Sequence, residues 1–303
     1  MAKNIVKPQT EDTSTNRPRN HVVRDATTDY HFTYIQYGKP TSIIVHQTPA
    51  EETWPGGALW DIGVLLSHVM VGLAGGKTNK VLLPSRLLQA FPTIKDLLVL
   101  ELGCGVGLTG IVAAAVLGTK LTILTDLDVV ITNVTQRNVI ANSSPATGKV
   151  PYRWTNAGKR GRIMAMPLCW GNEDDERAVA EAFEFFTKST KSPRKGKDES
   201  LQPKDPTKPD LILIGDVAYQ HKPGAPSHFD ALVSTLLKFI DFNTTVIFGT
   251  RMRMPASSDL LQLFLQHMDE VITPVSADEI DPSFGKFKHQ ITVHVFRKKA
   301  LAC

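Results

Sequence analysis

The residues of this chain that are best suited to chemistry lie in one glycine-rich segment, 100–110, with the sequence LELGCGVGLTG. An apolar run ends there in Glu101, and residues 105–110 match the Gly-x-Gly-x-x-Gly pattern of dinucleotide-binding turns. Glycine suits such a turn because a side chain would keep the backbone away from a ligand. Asp126 ends the next apolar run, where a carboxylate can hold a ribose diol. The segment therefore predicts nucleoside binding.

Which nucleoside binds depends on Glu101, which lies just ahead of the first glycine of the turn. A carboxylate at this place suits a cationic or amino-bearing cofactor better than a pyrophosphate. An oxidoreductase that uses a nicotinamide cofactor is the alternative from another class. It would need a catalytic dyad or a substrate-anchoring arginine near the sheet, and the sequence shows no such pattern.

The elements around this turn alternate between strands and helices after Pro92. Fully apolar runs such as 97–102 are typical of parallel strands that are covered on both faces. The pattern predicts an α/β fold with a doubly wound, seven-stranded, mostly parallel sheet and an antiparallel last strand. The predicted strands are 97–102, 120–126, 162–170, 210–216, 244–250, 270–275 and 290–297, and the helices between them are 108–117, 127–142, 227–240 and 256–268.

Three further segments complete the predicted organisation. Residues 1–28 are polar and aperiodic and are expected to be a disordered tail. Residues 29–57 form an N-terminal extension with a β-hairpin, and an amphipathic helix follows it. The main domain, 58–303, contains a charged insertion at 172–209, which begins as an acidic helix and is expected to continue as a disordered arm.

Four elements in this order resemble one family of enzymes. The segment 100–110 followed by ILTDLD resembles motifs I and II of the seven-strand S-adenosylmethionine-dependent methyltransferases, which have a Rossmann-like fold. The segments 57–61 (GALWD), 167–171 (PLCWG) and 210–219 (DLILIGDVAY) resemble elements of the methyltransferase family 16 protein-lysine methyltransferases. Within that family the elongation-factor lysine methyltransferases are the nearest likeness. The resemblance runs from about residue 56 to 297 and leaves out the tail and the insertion.

The resemblance implies S-adenosylmethionine as the cofactor and assigns residues to it one by one. The implied cofactor-binding residues are Trp60, Glu101, Gly103, Cys104, Gly105, Asp126, Trp170 and Gly215. In this arrangement Glu101 faces the ammonium group, Asp126 accepts hydrogen bonds from the ribose and Trp170 covers the adenine. Asp128 is a rival of Asp126 for the ribose, and the Cys104 thiol is expected to pack as a small hydrophobic group.

The resemblance also implies a protein substrate that carries the target lysine, with elongation factor 1-alpha as a candidate. Asp216 and Tyr219 lie three residues apart at the carboxyl end of the fourth predicted strand, where open α/β sheets place their ligands. Our hypothesis is that Asp216 and Tyr219 are the catalytic residues: Asp216 orients the lysine ammonium and helps to pass its proton to water, while Tyr219 forms a wall of the channel. Methyltransferases that act on base amines usually carry Asn/Asp-Pro-Pro-aromatic here, whereas this chain has Asp-Val-Ala-Tyr.

Composition excludes several other classes. The net charge of +4 is accounted for by residues 188–208, so the rest of the chain is neutral and no nucleic-acid partner is expected. The 3 cysteines lie far apart, which argues against a disulfide framework and a zinc site, and no metal is expected. No signal peptide or membrane span is apparent, so the expectation is a cytoplasmic monomer.

Two asparagines on the helix predicted at 127–142 are expected to have a structural role rather than to bind a ligand. Asn138 and Asn142 are four residues apart and therefore share a helix face. They are expected to face solvent or to close the helix. The hairpin at 30–47 and the arm within 172–209 are instead the candidates for substrate contact.

Overall fold

The architecture comes from a computed structural model that describes residues 27–36, 39–48, 55–75, 83–91, 96–145, 155–157, 161–189, 205–218, 228–252, 255–286 and 290–299. Most of the predicted tail, residues 190–204 of the predicted insertion, and Tyr219 lie outside the described residues. The predicted division of the chain at residues 28 and 57 stays a prediction.

The described residues form a long mixed sheet, a separate two-stranded hairpin and the helices that cover them. The strands are β1 (Tyr30–Gln36), β2 (Lys39–Val45), β3 (Leu98–Leu102), β4 (Leu121–Asp126), β5 (Ser143–Pro145), β6 (Thr155–Ala157), β7 (Gly161–Pro167), β8 (Leu211–Gly215), β9 (Thr245–Arg251), β10 (Met268–Glu270), β11 (Val275–Ser276) and β12 (Ile291–Lys298). The helices are α1 (Asp61–Leu73), α2 (Ser85–Gln89), α3 (Leu108–Leu117), α4 (Asp128–Val130), α5 (Gln136–Ala141), α6 (Glu173–Ser189), α7 (Phe229–Phe239), α8 (Pro255–His267) and α9 (Ala277–Ile280). A π-helical turn, Ile131–Thr135, joins α4 to α5, and 3₁₀ turns lie at Pro55–Gly57 and Pro282–Lys286.

The order of the strands confirms the predicted fold class. The sheet runs β10-β12-β9-β8-β3-β4-β7-β6-β5. The pairs β3–β4, β3–β8, β4–β7 and β8–β9 are parallel, whereas β12 is antiparallel to both β9 and β10. The last strand of the described residues is therefore antiparallel to its neighbours, as the absence of a helical pattern before it predicted.

The sheet differs from the prediction at its two ends. The strand predicted at 270–275 is replaced by two short strands, β10 and β11, which both pair with β12. At the other end β5 and β6 extend the sheet beyond β7 by antiparallel pairing. These are strands of two or three residues, too short for a periodic apolar pattern to reveal them.

Helices cover both faces of the sheet, which explains why its central strands are apolar on both sides. Val99 and Ile247 belong to the core on the side of α1 and α3, whereas Leu100 and Ile212 belong to the core on the side of α6, α7 and α8. Alternate residues of one strand thus enter opposite cores. The sheet is doubly wound, as predicted.

The segment that was predicted as an insertion begins with a helix that is part of this framework. Helix α6 connects β7 toward β8 and places Val179, Phe183 and Phe186 in the core. Its acidic side chains lie mostly on the opposite, solvated face. Burial of the apolar stripe therefore makes α6 a regular crossover helix of the sheet.

The hairpin lies on the α1 and α3 side of the molecule. Strands β1 and β2 pair antiparallel, with Tyr30 opposite Val45. Phe32, Ile43 and Val45 are buried in the same core as the helices α1 and α3. The hairpin therefore packs against the helical layer formed by α1 and α3 and shares its hydrophobic core.

The strand order reverses between β3 and β8. From β3 the chain proceeds to β4 and β7 on one side, and it later passes through β8 to β9 on the other. Connections that leave neighbouring strands in opposite directions open a crevice at their carboxyl ends, and ligands of open α/β sheets bind there. The glycine turn follows β3 and Asp216 follows β8, so both lie at this crevice.

Candidate active site at the carboxyl ends of β3 and β8

The glycine turn has a backbone that other residues adopt only under strain. The φ angles of Gly103 and Gly105 are 70° and 53°. A Cβ on Gly103 would lie 2.8 Å from Val217 Cγ1 and 3.3 Å from the Trp170 ring. A Cβ on Gly105 would lie 3.1 Å from the Gly56 carbonyl oxygen. Neighbouring protein atoms thus occupy the space that a Cβ would take at both positions, and the turn packs closely against Val217, Trp170 and Gly56.

Hydrogen bonds from neighbouring elements hold the turn in this shape. The Cys104 N–H donates to the Thr125 carbonyl at 3.0 Å, which ties the turn to β4. The Thr135 hydroxyl, in the π-helical turn, donates to the Gly105 carbonyl at 2.7 Å. A π turn inside a helix is frequent at functional sites, and here it brings a hydroxyl onto the turn.

Asp126 lies against the turn, whereas its rival Asp128 does not. The Asp126 carboxylate accepts hydrogen bonds from the N–H groups of Gly105 and Leu127, both at 2.8 Å. Burial raises the pKa of Asp126 to about 6, and these hydrogen bonds oppose the rise. Asp128 is exposed at the start of α4. Of the two, Asp126 has the position expected of a ribose-binding carboxylate at the end of β4.

Glu101 is buried beneath the turn, at the end of β3, with 5% of its surface exposed. Its Oε2 accepts a hydrogen bond from the Gly110 N–H at 2.9 Å, in the first turn of α3. Burial raises the pKa of Glu101 to about 8, although hydrogen bonds from Gly110 and Thr109 favour the ionised form. A cation in the crevice would favour that form further, so the group is set to respond to a charged ligand.

Cys104 is buried within the turn and is not arranged as a nucleophile. Its Sγ lies 3.7 Å from the Gly105 carbonyl and 3.8 Å from the Thr135 hydroxyl. Burial, reinforced by the charges of Asp126 and Glu101, raises the pKa of the thiol well above its usual value. Thiolate chemistry needs the opposite shift, so this cysteine contributes shape to the turn.

Trp170 is held beside the turn by a short network. Gly171, with φ at 81°, donates its N–H to the Thr235 hydroxyl at 2.8 Å. The Thr235 hydroxyl in turn donates to Glu176 Oε1 at 2.7 Å. The Cys169 N–H, on the other side of Trp170, donates to Asp175 at 2.8 Å. The indole is thus positioned by α6 and α7 from both sides.

This network gives a testable prediction for the cofactor site. Thr235→Val keeps the shape of the side chain but leaves the Gly171 N–H and the buried Glu176 without their hydroxyl partner. The cost of such losses is about 1–3 kcal/mol. We expect the affinity for S-adenosylhomocysteine (SAH) to fall about 10-fold by calorimetry. Thr235→Ser, which keeps the hydroxyl, should bind SAH nearly as the unsubstituted protein does, and equal binding by Thr235→Val would contradict this role.

Trp60 is tied to the segment that precedes it, and that segment packs on the glycine turn. Its indole N–H donates to the Pro55 carbonyl at 3.1 Å, which closes the segment into a compact loop before α1. A Cβ on Gly56 of this loop would lie 3.4 Å from the Gly105 Cα. The loop therefore packs directly on the glycine turn, with Trp60 partly exposed beside it.

Gly215 and Asp216 end strand β8 with different roles in the structure. The open side of Gly215 faces α1, where a Cβ would lie 3.3 Å from Ile62 and 3.2 Å from Leu66. Asp216 has a φ of 53°, a left-handed conformation that is rare outside glycine, and its N–H donates to the Gly249 carbonyl at 3.0 Å. Strained backbone of this kind is concentrated at functional sites. Tyr219, the second predicted catalytic residue, lies outside the described residues.

One buried ion pair near the crevice escaped the sequence analysis. Asp61, the residue after Trp60, accepts a hydrogen bond from Arg251 at 3.0 Å, and both side chains are at most 4% exposed. The pair fixes the start of α1 to the end of β9. Sequence gave no signal of it, because the partners are 190 residues apart and arginine is common at strand ends.

Asn138 is a correction to the sequence-based interpretation, whereas Asn142 closes the helix, as expected, because it is the C-cap residue of α5. Asn138 is wholly buried and hydrogen-bonds His46, just beyond strand β2. Asn142 is partly buried and hydrogen-bonds Ile44 of β2. They do not face solvent. A helix whose polar residues face inward is expected only where a neighbouring backbone needs partners, and the sequence does not show that β2 lies there.

The described residues offer neither a metal site nor a membrane-spanning helix. No group of three or more histidine, cysteine or acidic side chains in this part of the chain could hold a metal ion. No helix in the described ranges has the length and apolar character needed to cross a membrane.

Comparison with protein families matches residues 40–185 to the model described as lysine methyltransferase. The resemblance to this family is confirmed. The match spans the hairpin strand β2, Trp60, the glycine turn, Asp126 and Trp170. It supports an S-adenosylmethionine-dependent methyltransferase with S-adenosylmethionine as its cofactor. No curated protein matches the chain.

Solved structures show similar chain folds at low identity. A protein from Streptococcus mutans described as a SAM-dependent methyltransferase has 12% identity and a TM-score of 0.45, with 88% of this chain and 55% of that chain covered. SMU.776, a protein solved in complex with SAH, has 12% identity and a TM-score of 0.45, with 88% and 56% covered. The ribosomal protein L11 methylase of Lactobacillus delbrueckii subsp. bulgaricus has 15% identity and a TM-score of 0.38, with 71% and 77% covered. This chain thus spans about half the length of the first two.

Proposed function

We propose that this chain is a protein-lysine N-methyltransferase. The observation that carries the proposal is the position of Asp216 beside the glycine turn. Leu102 and Ile214 are register partners in adjacent parallel strands, so the turn and Asp216 leave the sheet side by side at the switch point. A carboxylate next to a cofactor turn is suited to receive a cationic acceptor, and the lysine ammonium is such a group.

The residues present fit the proposed cofactor. The turn carries no side chain at Gly103 and Gly105, and at Gly103 a Cβ would be only 2.8 Å from Val217, so the turn keeps its shape only with glycine. Asp126 supplies an acceptor for ribose hydroxyls, and Glu101 supplies a carboxyl that ionises readily near a positive group. Trp170 supplies an aromatic wall for the adenine. When bound, S-adenosylmethionine supplies a methyl group on a positively charged sulfur.

The lysine must lose a proton before it can react. With an ordinary pKa near 10.4, about one lysine in 2,500 is neutral at pH 7, which corresponds to a cost of about 4.6 kcal/mol. Burial against Val217 and Trp170, together with a nearby sulfonium charge, lowers this pKa. In the proposed step, Asp216 orients the ammonium and helps to pass its proton to water. S-adenosylmethionine, held by the glycine turn, Asp126 and Trp170, would supply the methyl carbon to the neutral amine nitrogen, and the carbon–sulfur bond would break as the carbon–nitrogen bond forms.

Elongation factor 1-alpha, or a similar translation factor, is the substrate that we propose. The support is the resemblance of segments 57–61, 167–171 and 210–219 to the methyltransferase family 16 protein-lysine methyltransferases, within which the elongation-factor lysine methyltransferases are the nearest likeness. A monomer that acts in the cytoplasm without nucleic acid is part of the same proposal and rests on the sequence alone. Tyr219 is included as a wall of the lysine channel.

The test is transfer of a labelled methyl group. Purified protein would be incubated with methyl-labelled S-adenosylmethionine and either recombinant elongation factor 1-alpha or cell lysate, with Asp216→Ala as the inactive control. We expect label in a single protein band and methyl-lysine in its peptides by mass spectrometry. Label in nucleic acid or in small molecules would overturn the lysine proposal, and label in another protein would overturn the proposed substrate alone.

A further inference from the structure

One buried side chain, Asn138 of α5, contacts both the N-terminal hairpin and the cofactor turn. Its Oδ1 accepts a hydrogen bond from the His46 N–H at 2.8 Å, just beyond strand β2. Its Nδ2 donates to the His46 carbonyl and to the Val106 carbonyl in the glycine turn, each at 2.9 Å. A single amide thus joins two segments that are 60 residues apart.

These contacts give a partner to the acceptor oxygen and to both N–H donors of the Asn138 amide. Asparagine has one side-chain acceptor oxygen and two N–H donors, and both donors of Asn138 reach carbonyl groups. The side chain has no exposed surface, so water does not replace a lost partner easily. Any movement of His46 relative to Val106 must therefore strain or break one of these bonds.

Asn142 provides a natural comparison because it binds the hairpin only. It accepts a hydrogen bond from the Ile44 N–H at 3.0 Å and donates to the Ile44 carbonyl at 2.6 Å. Its other donor contact is with the Asn138 carbonyl at 2.8 Å, within the same helix. Ile44 and His46 point their backbone groups toward α5, so the two asparagines pair with this edge of the hairpin as a strand would.

We infer that Asn138 is a positioning residue that couples the hairpin to the cofactor turn. Docking of the hairpin fixes the position of His46, and the hydrogen bonds of Asn138 then fix the Val106 carbonyl relative to His46. Val106 belongs to the turn that receives the cofactor. Because coupling between two sites is reciprocal, a cofactor in the turn must also stabilise the docked hairpin. The inference rests on cofactor binding at the turn and is independent of the identity of the methyl acceptor.

The experiment is a double-mutant cycle with SAH affinity as the readout. We expect Asn138→Ala to weaken SAH binding about 10-fold and Asn142→Ala to weaken it about 3-fold through the hairpin. In the Asn138→Ala background, Asn142→Ala should change the affinity no further. Ile140→Ala, an exposed position on the same helix, is the matched control and should leave the affinity unchanged.

Independent, multiplying effects of the two asparagine substitutions would overturn the coupling. A wild-type protein that binds no SAH would instead overturn the cofactor assignment, so the two failures are distinguishable. Hydrogen exchange on the unsubstituted protein covers the case in which Asn138→Ala does not fold. There SAH should slow exchange at the Ile44 and His46 amides as well as in the turn, and protection confined to the turn would count against the inference.

Discussion

Asp216→Ala is expected to reduce the rate of methyl transfer by about 10³-fold while SAH binds with nearly unchanged affinity. The carboxylate lies at the carboxyl end of β8, beside the turn rather than beneath it. Its loss removes the group that orients the lysine ammonium and assists proton departure, but it leaves Gly103, Asp126 and Trp170 in place. Single-turnover methylation and calorimetry with SAH measure the two effects separately.

The left-handed backbone of Asp216 makes a sharper set of variants possible. Asparagine tolerates a φ of 53° and has nearly the same shape, so Asp216→Asn removes the charge alone. Asp216→Gly should relieve strain of about 1 kcal/mol and raise the melting temperature, yet it should be as inactive as Asp216→Ala. Full activity of Asp216→Asn would show that the carboxylate charge has no part in the reaction.

The central fold was predictable because its signals are local. Strands such as β3 are apolar at every position, since both faces of the sheet are covered, and the turn after β3 carries its glycines in sequence. The short edge strands β5 and β6 were not predictable in this way, because pairing rather than composition defines them: β6 pairs with β7, and β5 pairs with β6.

The site was predictable only where its residues follow strands. Glu101 is the penultimate residue of β3, Asp126 is the last residue of β4 and Asp216 follows β8, so the sheet brings all three to one edge. Other features depend on contacts between segments that are distant in the sequence. These are the packing of Gly215 against α1, the Asp61–Arg251 ion pair and the hydrogen bonds of Asn138 to His46 and Val106. A polar residue on a predicted helix does not indicate which backbone groups it will contact. The prediction that Asn138 faces solvent or closes the helix is wrong for this reason.

The raised pKa of Glu101 is expected to affect both stability and cofactor affinity. As pH rises, stability should fall and affinity should increase. Without cofactor the folded protein holds a proton on Glu101 up to about pH 8, whereas the unfolded chain releases it near the ordinary value of 4.5. Stability therefore falls as pH rises between these values and levels off above pH 8. Glu101→Gln cannot ionise and still accepts the Gly110 N–H. At pH 8 it should melt about 5 °C or more above the unsubstituted protein.

The affinity for SAH, in contrast to stability, should increase as pH rises and Glu101 ionises. A bound ammonium favours ionised Glu101, so the affinity of the unsubstituted protein for SAH must fall where the carboxyl is protonated. With the pKa of Glu101 at about 8, the ratio of wild-type to Glu101→Gln affinity should rise about 25-fold between pH 6.5 and 8.5. Taking the ratio cancels the titration of SAH itself and of Asp126, which both proteins share. A ratio that stays constant with pH would show that Glu101 only anchors α3 through Gly110, and that the cation it was placed to meet binds elsewhere.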